Sequence, residues 1–365
     1  MQTPADGEPI PSLPKTTEKR RGAILVTGGA GYIGSHILKA VEEAGRPAVA
    51  FDDLSHGFLE ACAWGELVQG DARDTSALIA AIERHDVVAV IHMAGLIEVG
   101  RSTVRPDLFW DQNVQGTASV IDAMRATGAR RLVFSSSAAV YGNDPRARWS
   151  DLLAENSPKD PASPYGDTKL AAERMIAASC AAFGLSAIAL RYFNAAGADP
   201  SGRIGEAHHP ETHLIPLTIQ AALAQRGPLT VFGNDFDTPD GTCLRDYIHV
   251  VDLAAAHVAA LEAALEPGEF DAINVGTGRG HSVFEVIAAV ERALGRPVPR
   301  TIGARRAGDP PSLVADPGRA AVRLDWTPRS SGLDEIVASA ARWHANPLYG
   351  DEGSGAPARP SIRQA

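Results

Sequence analysis

One stretch limits what this chain can fold into more than any other: Ala23-Ile24-Leu25-Val26-Thr27-Gly28-Gly29-Ala30-Gly31-Tyr32-Ile33-Gly34. A short apolar run reads as a buried strand, a glycine-dense turn follows, and a periodic run over 35–43 reads as a helix ending near Gly45. Strand, glycine turn and helix in that order open a dinucleotide-binding βαβ unit. The glycines fit two registers, Gly29-x-Gly31-x-x-Gly34 and Gly28-x-x-Gly31-x-x-Gly34. In either, they permit a tight turn, close approach of a pyrophosphate, and packing of helix on strand. The helix N-terminus then presents free N–H groups and the positive end of its dipole. An ordinary tight strand-to-helix turn could use the same residues, so the rest of the chain has to decide.

It decides by alternation. Further apolar strands are expected over 47–51, 67–69, 87–92, 131–135 and 187–192, with helical patterns over 77–84, 113–127 and 165–183 between them. Strands and helices alternating at this spacing predict an α/β fold, a doubly wound parallel sheet of Rossmann type. After Gly197 the pattern loosens, and Pro, Gly, His and Asp gather over 200–213 and 233–241 as in long binding loops. The expected organisation is a disordered arm over 1–21, a dinucleotide-binding domain over 22–196, a smaller mixed α/β substrate domain over 197–349, and a disordered tail over 350–365. Segments near 242–265 are expected to return to the first domain. A chain of 365 residues, 45% hydrophobic, has ample core for this.

The net charge of −10 argues against non-specific binding of nucleic acid or an anionic membrane, although local arginines can still hold an anionic ligand. Cys62, Cys180 and Cys243 lie far apart, with no C-x-x-C pair, which reads as reduced thiols in a cytoplasmic protein. The N-terminal arm lacks the apolar core of a secretory signal, and no run is long enough to span a membrane. No metal ligands are expected.

In doubly wound sheets the ligand lies at the carboxyl ends of the strands. Asp52 follows the second strand, where a carboxylate accepts from an adenosine ribose and repels a 2′-phosphate; with no arginine beside it, NAD is favoured over NADP. Asp71, followed by Ala72, is placed to accept from an adenine amino group. Met93-Ala94-Gly95 gives the chain small residues for a close pass by the cofactor.

A second stretch, Ser163-Pro164-Tyr165-Gly166-Asp167-Thr168-Lys169, carries chemistry. Ser163 suits an N-cap, Pro164 the first helical position and Gly184 the stop. Tyr165 and Lys169 then share one helix face. An ammonium near a phenol stabilises the phenolate, and a positive nicotinamide ring pushes the same way. Such a tyrosine can take a proton from a sugar hydroxyl. A Tyr-x-x-x-Lys pair alone is common on solvated helices, but here Phe134-Ser135-Ser136-Ser137 ends the fifth strand and sets Ser137 at the same sheet edge.

With these residues in hand, the chain resembles the extended short-chain dehydrogenase/reductase family, and within it the UDP-galactose 4-epimerase branch, from Val26 to about Trp343. The first motifs are Gly31-Tyr32-Ile33-Gly34-Ser35-His36, Ser135-Ser136-Ser137 and Ser163-Pro164-Tyr165. The branch-specific ones are Leu190-Arg191-Tyr192-Phe193-Asn194, Phe232-Gly233-Asn234-Asp235, Asp240-Gly241-Thr242 and Arg245-Asp246-Tyr247-Ile248-His249-Val250. The resemblance implies tightly held NAD and interconversion of UDP-glucose and UDP-galactose. Tyr165 would remove the O4 proton as C4 gives up hydride, and the 4-keto sugar would turn over and be reduced on its other face. Ser137 would bond the O4 region, and Lys169 would hold the nicotinamide ribose. Cofactor contacts are implied for Tyr32, Ile33, Asp52, Asp71, Ala72, Gln112, Asn113 and Phe193. Sugar-nucleotide contacts are implied for Asn194, His213, Leu214, Val231, Phe232, Arg245, Arg306 and Asp309, the arginines suiting a diphosphate. A homodimer through the helices bearing Asn113 and Tyr165 is implied too.

Two positions depart from the family pattern. Ile97 stands where some members have a lysine touching the cofactor ribose. Leu313 stands where the family bounds the space around the sugar C2 group, and where a tyrosine hinders N-acetyl substituents. Epimerases of UDP-N-acetylglucosamine or UDP-xylose share the pattern. A nucleotide-sugar dehydratase or decarboxylase would need a carboxylate after Ser137, where Ala138 and Ala139 stand. A net-redox enzyme would need an exchangeable cofactor, and a non-catalytic NAD sensor would have no use for Ser137, Tyr165 and Lys169 together.

Overall fold

The computed structural model describes residues 22–142, 148–306 and 308–350. The expected arm, and all of the expected tail but Gly350, lie outside the described residues. In chain order the first elements are β1 (Ala23–Thr27), α1 (Tyr32–Glu43), β2 (Ala48–Asp52), β3 (Glu66–Gln69), α2 (Thr75–Arg84) and β4 (Val87–His92). Two short helices follow, α3 (Val99–Val104) and α4 (Pro106–Phe109), then a π-helical segment (Trp110–Gln115) that runs into α5 (Gly116–Thr127). Next come β5 (Arg131–Ser137), α6 (Pro164–Phe183) and β6 (Ser186–Tyr192).

The remaining elements are β7 (Asn194–Ala196), α7 (Leu214–Ala222), β8 (Leu229–Phe232), β9 (Leu244–His249), α8 (Val250–Glu262), β10 (Phe270–Val275) and β11 (Gly280–Ser282). They are followed by α9 (Val283–Leu294), β12 (Arg300–Gly303), β13 (Ser312–Leu313), α10 (Gly318–Leu324) and α11 (Leu333–Ala345).

Seven strands form one parallel sheet in the order β10-β6-β5-β4-β1-β2-β3. Parallel sheets need both faces covered, and every residue of β1 and β2 is buried. One face packs Leu78, Ile82, Val120, Met124, Ile176 and Cys180 from α2, α5 and α6. The other packs Ile37, Leu38 and Val41 of α1 with Leu253, Ala256 and Ala260 of α8 and Leu324 of α10. The strand order reverses between β1 and β4, so the crevice at their carboxyl ends is the topological switch point.

The strands expected from sequence are all present, with ends moved by one or two residues. The helix expected over 113–127 begins at Gly116, because Asn113 lies in the π-helical segment. The region near 242–265 contributes α8 to the sheet's outer face, whereas β9 joins a separate small sheet with β7, β11 and β13. The seventh strand of the main sheet, β10, comes from later still and pairs with β6 from Phe270↔Ala187 to Val275↔Tyr192. A third core, built on Ile215, Ile219, Val286, Ile287, Val290, Ile336 and Val337, holds α7, α9 and α11 around β8.

Candidate active site

The glycine turn after β1 is built for close backbone approach. A Cβ on Gly28, which has φ +71, would lie 2.8 Å from the Ala94 nitrogen. A Cβ on Gly34 would lie 2.0 Å from the Gly28 carbonyl oxygen, so α1 could not pack on the turn. Gly31 is the N-cap and makes no side-chain cap, which leaves the first-turn N–H groups to other acceptors. Asp52, at the end of β2, is buried and accepts from Ala30 N at 3.0 Å and Leu54 N at 2.8 Å. Burial raises its pKa and those two amides oppose the rise. The carboxylate braces the turn and keeps lone pairs for a ribose. This uncapped helix, a cradle that excludes Cβ atoms and a carboxylate at the second strand's end fit a dinucleotide.

Beyond β4 the chain is fixed by residues that the sequence reading passed over. Thr27 Oγ1 accepts from Met93 N (3.2 Å) and Ala94 N (3.3 Å), and lies 2.7 Å from His92 Nδ1. His92 Nε2 lies 3.1 Å from Thr117 Oγ1, which donates to Asn113 O at 2.6 Å. Burial, with the Lys169 ammonium adding, pushes His92 down to about 3, so its ring is neutral. With both hydroxyls assigned, Thr27 donates to Nδ1 and Nε2 carries the proton. Asn113 accepts from Leu96 N (2.8 Å) and donates to Leu96 O (3.1 Å) and Thr168 Oγ1 (3.0 Å). Its side chain therefore ties the strand-end loop to α6, and a Cβ on Gly95 would reach 2.7 Å from its Oδ1. No motif marked this chain of contacts, because its members are scattered through the sequence.

Asp71 is engaged by a neighbouring arginine. Its carboxylate accepts from Arg73 Nε at 3.0 and 3.1 Å and from Arg73 Nη2 at 2.5 Å, and Arg73 holds it below the usual carboxylate range. Arg73 also pairs with Asp111, and the Gln112 amide oxygen, oriented to accept, lies 3.1 Å from Arg73 Nη1. Asp71 and Gln112 therefore share one guanidinium on the rim beside Ala72. Tyr32 donates to Gly197 O at 2.7 Å, while Ile33 packs its side chain against the apolar core of the α1 face.

At the other side of the crevice Ser163 caps α6, accepting from Gly166 N, and Gly184 ends it at φ +68. Tyr165 and Lys169 are both buried on that helix, with the Lys169 Nζ 5.9 Å from the Tyr165 ring centroid. Lys169 donates to Ser135 O at 2.8 Å, and burial lowers its pKa to about 8, Glu173 opposing. The expected depressed phenol is not found in this state: burial raises the Tyr165 pKa, and a hydrogen bond with Ser137 opposes the rise. The ammonium is occupied by a carbonyl and does not offset the phenol's desolvation. Ser137 also accepts from Ala139 N at 3.2 Å. Tyr192, four residues before Ala196, shares a hydrogen bond of 2.6 Å with Ser135 Oγ. Phe193 packs beside Ala138, Val140, Tyr141 and Leu170.

The residues expected on the sugar-nucleotide side fall into three groups. Arg245 on β9 donates to Leu244 O (2.8 Å) and Pro310 O (3.0 Å), lies 3.8 Å from Asp309, and is in register with Leu313 of β13. The Arg306 guanidinium sits 4.0 Å from the Phe232 ring centroid. Val231, between these, is buried in the third core, so its side chain faces away from any ligand and only its backbone is available. His213, the N-cap of α7, lies 2.5 Å by its Nδ1 from Glu206 Oε1, and Leu214 packs on the third core. Asn194 opens β7, opposite Tyr247 of β9.

A family model described as the NAD dependent epimerase/dehydratase family matches residues 24–276. A UDP-glucose 4-epimerase of Azospirillum brasilense is 47% identical over 335 residues, covering 92% of this chain and 95% of that protein. The crystal structure of UDP-glucose 4-epimerase from Brucella ovis in complex with NAD matches with TM-score 0.85 and 47% identity, covering 88% of this chain and 98% of that one. A UDP-glucose 4-epimerase structure from Stenotrophomonas maltophila, with bound NAD and formylated UDP-arabinopyranose, matches with TM-score 0.84 and 38% identity. It covers 89% of this chain and 98% of that one.

Proposed function

Because the chain belongs to the NAD dependent epimerase/dehydratase family, we propose that Ser137, Tyr165 and Lys169 are the groups with which it interconverts UDP-glucose and UDP-galactose. The observation that supports this assignment best is the pairing of a buried tyrosine and lysine on α6 with a serine at the end of β5, at the carboxyl edge of a dinucleotide-binding sheet. NAD, held by the glycine turn and Asp52, would supply the hydride acceptor and donor for oxidation and re-reduction at sugar C4. The protein's own work is to hold both ligands and to move the O4 proton. Gly28, Gly31 and Gly34 admit the pyrophosphate at the start of α1, Asp52 accepts from the adenosine ribose, and Met93, Ala94 and Gly95 line the switch point. Tyr165 takes the proton from O4 and gives it back, Ser137 hydrogen-bonds both the phenol and O4, and Lys169 leaves Ser135 O to meet the nicotinamide ribose.

On the sugar-nucleotide side, Arg245 and Arg306 bind the diphosphate, with Asn194, His213, Leu214, Phe232 and Asp309 around them. The Val231 backbone completes the wall. Elimination of water would call for an acid beside Ser137, and Ala138 and Ala139 supply none. We infer a homodimer, supported by the exposed apolar side chains of Val99 and Val104 on α3 and of Trp110 at the start of the π-helical segment. The cytoplasm is its proposed compartment, supported by three free cysteines. Among the described residues no helix is long and apolar enough to cross a membrane.

The test is incubation of the purified protein with UDP-galactose and no added cofactor, with products resolved. UDP-glucose should form, and denaturing the protein should release NAD. Release of NADP, or turnover only with stoichiometric reduction of added NAD, would defeat the proposal.

A further inference from the structure

We propose that Glu206, His208, Glu211 and His213, in the loop leading into α7, form a site for one divalent transition-metal ion of the zinc or cobalt class. Each of the four offers one ligand atom, and these atoms all lie within 4.8 Å of one another. His208 Nδ1 lies 3.2 Å from Glu206 Oε1 and 3.8 Å from Glu211 Oε2; His213 Nδ1 lies 2.5 Å from Glu206 Oε1 and 3.6 Å from Glu211 Oε1. Four N and O ligands about 2.0–2.2 Å from a tetrahedral ion stand roughly 3.3–3.6 Å apart. With Glu211 Oε2 as its ligand atom, the His208–Glu206 separation is near that value, the His208–Glu211 separation is slightly longer, and the His213–Glu206 contact has to open.

A hydrogen-bonded cluster of acids and bases is the competing description, and one atom speaks against it. His208 Nδ1 is buried and makes no hydrogen bond of acceptable geometry, although two carboxylates stand beside it. Buried polar atoms are rarely left so. A lone pair aimed at a shared ion would account for the position. The supporting contacts are also present. Glu211 Oε1 accepts from Thr212 N (2.7 Å) and His213 N (2.8 Å), leaving Oε2 free. Trp343 Nε1 donates to Glu206 O at 2.8 Å and anchors that backbone, and the His208 ring sits edge-on to Tyr32. The two carboxylate side chains are only 3% and 7% exposed, while the imidazoles are 23% and 42% exposed, so the ion has a way in past the rings. Two imidazoles select transition metals over magnesium or calcium, and two carboxylates neutralise a dication.

The site shares His213 with the sugar-nucleotide contacts proposed above, so its test is run without nucleotide sugar and reads metal binding alone. Metal-stripped protein with its dinucleotide retained is titrated with cobalt(II), followed by visible absorption, and then challenged with zinc. The expected result is one equivalent per chain, with the visible bands of four-coordinate cobalt, displaced by zinc. His208→Gln and Glu211→Gln should each weaken uptake by about 100-fold or more. Glu211→Gln keeps the carbonyl oxygen that Thr212 N and His213 N need, so it carries the test if His208→Gln misfolds. Absence of stoichiometric uptake by the unmodified protein, or uptake undiminished in a folded variant of either residue, overturns the proposal.

Discussion

At Tyr165 two environmental effects oppose each other: burial raises the phenol's pKa, and the Ser137 hydroxyl resists. The chemistry proposed for it needs a proton acceptor near neutral pH, so the balance must shift when ligands arrive, and Lys169 is the residue placed to shift it. Tyr165→Phe keeps the ring and its edge contact with Phe109 while removing the acceptor. Turnover should fall by roughly 10²–10⁴, with the thermal transition unchanged. A kcat near the unmodified value would remove Tyr165 from its role. Leu313 lends itself to a comparable test. It is half-buried beside Arg245, with no hydroxyl, and as a shorter wall than tyrosine it should admit an N-acetyl group. Apolar discrimination of this kind is on the order of 1–3 kcal/mol. The ratio of kcat/KM for UDP-galactose over UDP-N-acetylgalactosamine should therefore rise about 10-fold or more in Leu313→Tyr. An unchanged ratio would mean that neighbouring loops, not Leu313, close that space.

At the scale of elements, the strand–turn–helix unit was legible because its rules are local. Glycine is demanded where a Cβ has no room, and Gly34→Ala tests that demand. Its new Cβ must displace the Gly28 carbonyl or the whole of α1. A loss of about 1–3 kcal/mol in stability is expected from overpacking, together with loss of retained NAD. Calorimetry and assay of the released nucleotide would check both. The strand end at Ser137 and the helix start at Tyr165 were legible for the same reason, each with its own cap. What stayed hidden depends on contacts between distant segments. Asn113 was expected at the cofactor, and its amide also bonds Leu96 and Thr168, which only the folded crevice brings to it. Asp71 was expected to accept from an adenine amino group, and nothing local showed that Arg73, two residues on, folds back over it. Val231 alternates inward on β8 because Ile215 and its neighbours cover that face, and nothing local to β8 says so. The strand β10 was missed since Asp271 and Asn274 interrupt its apolar residues and its pairing with β6 is set by a distant segment.

For the molecule as a whole, the proposed dimer should sediment at twice the monomer mass. Val104→Glu together with Trp110→Glu should return it to the monomer without unfolding it, since both side chains are exposed in the single chain. Sedimentation of the unmodified protein as a monomer at micromolar concentration would refute that arrangement. A different consequence follows from the position of β10, which closes the sheet against β6. The edge at Tyr192 leaves the ribosome long before its partner at Val275. At the usual 5–20 residues per second, the gap lasts roughly 4–17 s. Throughout that interval β6, a strand buried along most of its length in the finished fold, is an open edge of the kind that recruits strands from other chains. The nascent protein is therefore most exposed to aggregation after its dinucleotide-binding half has been made and before its last sheet strand arrives. That window is where a ribosome-bound chaperone would have most to do.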